Sequence, residues 1–449
     1  MPHQRMGRAL ALAGMLTTTP VLAVDLIGVH DQALSNDPQL QAAGYRRDAT
    51  GENRRQALSS FLPTLSGNAG VSRGDAETDL AGEKISERDI DTENWGLNLD
   101  QVIYDHANYE RMDIARAQVA QADAIYSSAY QNFLVRVAVS YFDVLTAMDG
   151  VTFAEAEERA LQRQFEQAEQ RFEVGLTAVT DVHEARASYD NSRARAIVAR
   201  NTLMDAREAL RELTGQYYEN LDPLQPELPL VTPEPNDAEQ WVTAALESNP
   251  NVISSRYAVD IADHLTKLER SGHYPTVRLQ AQYSDFTNNS FLLTDDNQNP
   301  IGNVSLGSQE LSYGVVLRVP IYQGGFVSSR TRQARYELSA TQQDLDAQLR
   351  LTSRQTRDAY RAVIAGIQQV QAFEQALISA ESALEATQAG FEVGTRTIVD
   401  VLLSQQRRFS AQRENSAARH LYILDHLRLK AAAGVLSLED LNAVNAILQ

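Results

Sequence analysis

The amino-acid sequence predicts an α+β membrane protein built as a tandem repeat, in which amphipathic strands close a barrel and long helices pack as coiled coils. Three observations carry this. The phrase FEVGLTAVTDV at Phe172–Val182 returns as FEVGTRTIVDV at Phe391–Val401, 219 positions later (172 to 391) in a chain of 449. Two proline-free segments, about 107–172 and 326–391, carry helical periodicity and end at that phrase. Ahead of each lie two segments of alternating apolar and polar residues, about 64–72 and 94–102, then 276–286 and 311–320.

The first 23 residues stand apart from the fold. His3, Arg5 and Arg8 form a basic start, an apolar run follows near Ala9–Leu16, and Val21-Leu22-Ala23 offers small or apolar residues at the positions a signal peptidase reads. Residues 1–23 are expected to be a secretory signal peptide, their apolar run being too short to span a bilayer. No other stretch approaches about 20 uncharged apolar residues, so no transmembrane helix is expected in the exported chain. The chain has no cysteine, which excludes disulfides, a cysteine-linked lipid anchor, thiol catalysis and thiolate metal sites. Formal charge is −19, and loss of Arg5 and Arg8 with the leader would leave it near −21. Such an acidic chain is a poor partner for nucleic acid, which needs clustered Lys and Arg. A solvated acidic surface explains the charge; an acidic lumen gains weight only if the chain forms a pore.

Each repeat reads helix, two strands, long helix, tip, helix. At 1.5 Å per residue each long helix would extend roughly 100 Å, far beyond a globular helix. Val363, Val370, Leu377, Leu384 and Phe391 recur at steps of seven, the spacing of coiled-coil packing. Gly175 and Gly394 break the two helices, at tips 173–178 and 392–396, and shorter helices resume over about 179–214 and 397–433. Pro63 and Pro275 stand in the matching phrases FLPT and HYPT, where a helix ends and a strand starts. Ala33–Pro38 answers Ala245–Pro250, and Val102-Ile103-Tyr104 answers Pro320-Ile321-Tyr322. The repeats are expected over 24–230 and 237–449, with a proline-rich linker at 222–236.

The polar spans Arg73–Glu93 and Thr287–Glu310 read as long loops between paired strands. Four strands cannot close a barrel alone, and an open edge in a membrane leaves unpaired backbone groups costing several kcal/mol each. Closure therefore needs several chains. Alternation with long outer loops is the pattern of an outer-membrane barrel, although a soluble β-sandwich patch would alternate in the same way.

The chain resembles the TolC outer-membrane channel family over nearly all of its length. The resemblance rests on FEVGLTAVTDVHEARASYD from Phe172 and FEVGTRTIVDVL from Phe391, with Ala33–Pro38, Phe61–Leu65 and Leu438–Asn445 in support. It implies a homotrimer in which each chain gives four strands to one outer-membrane barrel continued by a periplasmic helical tunnel. It further implies a passive exit duct for an inner-membrane efflux pump or ABC transporter, joined through a periplasmic adaptor protein and serving drug efflux or type I secretion. A periplasmic coiled-coil adaptor or scaffold is the alternative, since it too could own long duplicated hairpins; the alternating strands speak for the channel.

The resemblance also assigns residues. Asp400 would line the periplasmic constriction as a ring of three carboxylates, and Arg396, with Thr180 and Asp181 on the facing hairpin, would hold neighbouring coils closed. Spacing alone allows a plainer reading, in which Arg396 and Asp400 are an i,i+4 surface pair on the second short helix. Three positions depart from the family pattern. Leu403 replaces a second aspartate, Phe391 replaces a gate tyrosine and lacks its hydroxyl, and Gln164 and Gln388 stand where the family has an acid–amide pair. The turns Val174-Gly175-Leu176 and Val393-Gly394-Thr395 need glycine to reverse the chain, and the resemblance adds adaptor docking there. Asp260 with His264, and Tyr422 with His426, are i,i+4 pairs without a third metal ligand in sequence. No triad or phosphate-binding loop is present, and neither enzyme activity nor a cofactor is expected.

Overall fold

The computed structural model describes residues 24–80, 83–294 and 300–448. The expected leader, 1–23, lies outside them. Nine helices and four strands are described: α1 (Leu26–Asn36), α2 (Pro38–Ser59), β1 (Thr64–Leu80), β2 (Glu83–Tyr104), α3 (His106–Glu173), α4 (Val179–Thr214), α5 (Ala238–Ser248), α6 (Pro250–Ser271), β3 (Thr276–Thr294), β4 (Pro300–Arg318), α7 (Phe326–Glu392), α8 (Ile398–Ala433) and α9 (Leu438–Asn445).

The single leading helix expected of each repeat is two. Asp37 closes α1 and caps α2, its carboxylate accepting from Gln39 N–H at 3.0 Å. Asn249 does the same between α5 and α6, accepting from Asn251 N–H at 2.9 Å. The following proline pushes the capping residue out of helix and then serves as the first residue of the next one.

The strands form one antiparallel sheet in the order β1-β2-β3-β4. β2 and β3 come from different repeats and pair from Thr92↔Asn288 to Tyr104↔Val277, so the sheet joins the two halves. The described residues of the expected long loops are strand instead: β1 runs on to Leu80, β2 begins at Glu83, β3 runs on to Thr294 and β4 begins at Pro300, while positions 81–82 and 295–299 lie outside the described residues. Backbone pairing needs no apolar side chains, and polar cross-strand pairs hold this part of the ladder. Arg73 sits opposite Asp91 and bonds it at 2.6 Å; Ser72 sits opposite Thr92 and bonds it at 2.5 Å. Nearer the helices Leu65, Val71, Leu311, Tyr313, Val315 and Leu317 are exposed.

The main core lies between the sheet and the tips. Phe133, Leu134, Val137, Tyr141 and Phe142 of α3 are fully buried against residues of α1, α8 and α9. α3 contains a stretch long and apolar enough to cross a membrane by length and composition. The large side chains Phe133, Tyr141 and Phe142 on this helix are spent on neighbouring helices. The linker is strapped to this core: Tyr141 Oη donates to Asp222 C=O at 2.8 Å, and Val231 N–H donates to Tyr422 Oη at 2.8 Å.

Candidate gate and docking tips

Both long helices end in the same hydrogen-bonded turn. At the first tip Gly175 N–H donates to Phe172 C=O at 2.9 Å and Leu176 N–H to Arg171 C=O at 2.8 Å. At the second Gly394 N–H donates to Phe391 C=O at 3.1 Å and Thr395 N–H to Gly390 C=O at 2.8 Å. This pair of bonds closes a helix only with a left-handed residue after the cap. Gly175 and Gly394 supply it, with φ of +73° and +79°. The turns present Val174, Leu176, Val393 and Thr395 to solvent, the first three 69–76% exposed.

The copies diverge one residue beyond the turn. α8 starts at a capping box: Asp400 N–H donates to Thr397 Oγ1 at 3.3 Å, and the Asp400 carboxylate accepts from Thr397 N–H and Oγ1, each at 3.0 Å. These two bonds hold the Asp400 carboxyl below its ordinary range, with a smaller contribution from the charge on Arg396. The surface ion pair is therefore corrected. Arg396 lies in the turn before α8, and among the described residues it makes no ion pair with Asp400 within 4.0 Å, because the carboxylate is turned to its cap. α4 begins after Ala178, which offers no side-chain cap, and the Asp181 carboxylate accepts instead from the Thr177 hydroxyl. Thr180 is exposed and Asp181 half-buried. Within one chain, neither is recorded in a bond to Arg396 among the described residues.

Phe391 and Gln164 have fates that the sequence did not disclose. The Arg171 guanidinium stacks on the Phe391 ring, 4.9 Å from its centroid, joining the end of α3 to the end of α7. Phe391 also packs on a small core shared by both hairpins, made of Leu161, Ala168, Ala185, Ile398 and Leu402. Gln164 is half-buried and its Oε1 has no partner; Arg171 Nε is in the same condition. Gln388 is half-buried and Leu403 exposed.

Further along α3, Glu157 is fully buried between Arg195 of α4 at 2.7 Å and Arg413 of α8 at 3.2 Å. The sequence reading missed it, yet a signal was there. Ala154, Leu161 and Ala168 recur at steps of seven, and Glu157, Gln164 and Arg171 keep the same step beside them. A charged or amide residue at every seventh position along an apolar seam marks partners inside the helix bundle. Nearby, half-buried Thr146 donates to Phe142 C=O at 2.7 Å, so its 2.8 Å bond to His420 Nδ1 must be donated by the ring. Burial lowers the His420 pKa to about 4.

The chain matches the outer membrane efflux protein family over residues 29–216 and 241–435, one stretch in each repeat. It is 38% identical to the outer membrane protein TolC of Vibrio cholerae, over 98% of this chain and 97% of that protein. It is 31% identical to the alkaline protease secretion protein AprF of Pseudomonas aeruginosa, over 96% and 89% of the two chains. Its fold superposes on the Campylobacter jejuni CmeC outer membrane channel with a TM-score of 0.76 at 16% identity, covering all of this chain and 98% of that one.

Proposed function

The chain belongs to the outer membrane efflux protein family, and from that premise we propose that three copies form the outer-membrane exit channel of tripartite efflux pumps, type I secretion systems or both. The observation that carries the reading is the four-stranded sheet. Within the chain β1 and β4 each pair on one side only, among the described residues. An open edge in lipid leaves several kcal/mol per unpaired group. Joining β4 of one copy to β1 of the next removes every edge after three copies and yields twelve strands. The exposed Leu65, Val71, Tyr313 and Val315 then meet lipid instead of water. A soluble scaffold gives no such role to this apolar face.

The helices continue the barrel into the periplasm, and the tips mark its closed end. Threefold symmetry brings three Asp400 carboxylates together, each with its charged form favoured by its capping bonds. Arg396, exposed and not tied to Asp400, is available to Thr180 and Asp181 of an adjacent hairpin. The exposed Val174, Leu176 and Val393 form six small apolar knobs per trimer for a periplasmic adaptor, which couples the duct to an inner-membrane pump.

Fractionation and planar-bilayer recording test this together. The expected result is a heat-modifiable trimer in the outer-membrane fraction whose small resting conductance is blocked by multivalent cations. Asp400→Ala relieves that block. A soluble periplasmic protein would overturn the channel, and unchanged block in Asp400→Ala would overturn the ring alone. Crosslinking from Val174 and Val393 identifies the adaptor.

A further inference from the structure

We propose a site for a first-row divalent ion, such as Zn²⁺, where α3 meets α6, with Glu110, Asp113 and His264 as its ligands. One ligand atom from each lies within 4.8 Å of the other two, close enough for a single ion to bridge them after small side-chain rotations. Glu110 and Asp113 are three apart on α3 and share a face. His264 reaches them from α6, 154 positions along the chain from Glu110. In sequence His264 has only Asp260 beside it; the third ligand is supplied by the fold.

The site is shaped to hold a cation. The Glu110 side chain is 10% exposed, and each of its oxygens faces an imidazole: Oε2 lies 2.8 Å from His264 Nδ1, and Oε1 lies 3.3 Å from His106 Nε2. His106 stands one turn before Glu110, with its Nε2 beside the second carboxylate oxygen, where it can serve as the outer support that metal-binding carboxylates use. Asp113 and His264 are 39% and 26% exposed, leaving an entry path and room for water to complete the coordination shell. One imidazole nitrogen with two carboxylates suits Zn²⁺, Co²⁺ or Ni²⁺ better than Mg²⁺ or Ca²⁺, which take oxygen alone.

Two cations stand nearby. Arg116 pairs with Asp113 at 2.8 Å, but its side chain is 61% exposed and such a surface pair yields readily. Lys267 is held by Asp263 at 2.8 Å. An ion here would tie the start of α3, directly after β2, to the helix that leads into β3. It would brace the junction of sheet and helices at the end of α3 opposite the gate, independently of the channel reading.

The test is calorimetric titration of ZnCl₂ into the untagged full-length chain in detergent after chelator treatment. Wild type is expected to bind one ion per chain, and its unfolding temperature to rise with Zn²⁺. Glu110→Gln, His264→Gln and the more exposed Asp113→Asn should each weaken binding more than about tenfold, while His183→Ala, outside the cluster, leaves it unchanged. Absence of binding by wild type at about 100 µM Zn²⁺ would overturn the site. So would equal affinity in wild type and Asp113→Asn, a variant that tests the site even if the buried substitutions misfold.

Discussion

In the trimeric channel proposed above, removing the Arg171 guanidinium should loosen the resting gate. Arg171 sits on the ring of Phe391 at 4.9 Å, and Phe391 cannot close the gate through a hydroxyl. A cation–π contact contributes about 0.5–1 kcal/mol when exposed and about 2 when desolvated. Arg171 and Phe391 are both half-buried and Arg171 Nε is shielded from water, so about 1 kcal/mol per chain is appropriate. If three copies release together, the closed state loses about 3 kcal/mol and its population ratio to the open state falls roughly 150-fold. The arginine stem also packs, so Arg171→Met, which keeps the stem and removes the charge, is the cleaner variant. Planar-bilayer recordings would count transitions to full conductance in wild type, Arg171→Met, Phe391→Leu and the double variant. The double variant should resemble either single one, since each breaks the same contact. Wild-type opening in Arg171→Met, or full additivity in the double variant, would refute the contact as a latch.

Other perturbations act elsewhere in the chain. Glu157→Ala strands Arg195 and Arg413 at a site with no solvent exposure on the glutamate; because both arginines remain about a third exposed, the loss should fall near the lower end of roughly 3–5 kcal/mol, read as a lower thermal unfolding midpoint in detergent. His420 is held neutral with a pKa of about 4, against 6.5 in the unfolded chain, so the unfolded state takes up its proton first. Its contribution is complete above pH 6.5 and is lost as pH falls from 6.5 to 4, by roughly 3 kcal/mol per chain; the unfolding midpoint of His420→Gln should vary less with pH over that window than that of wild type. Gly434→Ala places a Cβ 2.5 Å from Asn249 Cα at φ +77°, so backbone must move and the cost should exceed the roughly 1–2 kcal/mol of a left-handed alanine. Gly175→Ala has a similar φ of +73° but open space around it, and should cost only that smaller amount, as comparative unfolding of the two variants would show.

How much of this could be read along the chain depends on the range of each interaction. The helix breaks were legible because Gly175 and Gly394 act within five residues, through a positive φ and two local hydrogen bonds. Apolar alternation near Leu65 and Tyr313 disclosed strands, but not that polar residues around Arg73 and Asp91 extend them, since strand pairing is settled by the partner's backbone. At the second tip, the spacing of Arg396 and Asp400 suggested an ion pair, and the cap at Thr397 took the carboxylate instead because it is nearer and offers two donors.

The sequence by itself determined the duplication, the acidic cysteine-free composition, the seven-residue seams and the position of both tips, all properties of spacing and residue type. Only the tertiary structure decided which distant side chains meet: Glu157 with Arg195 and Arg413, Arg171 with Phe391, Glu110 and Asp113 with His264. The physical reason is that helical periodicity specifies the face a residue occupies, whereas the partner on that face is chosen by how whole helices pack to bury the core around Phe133 and Tyr141.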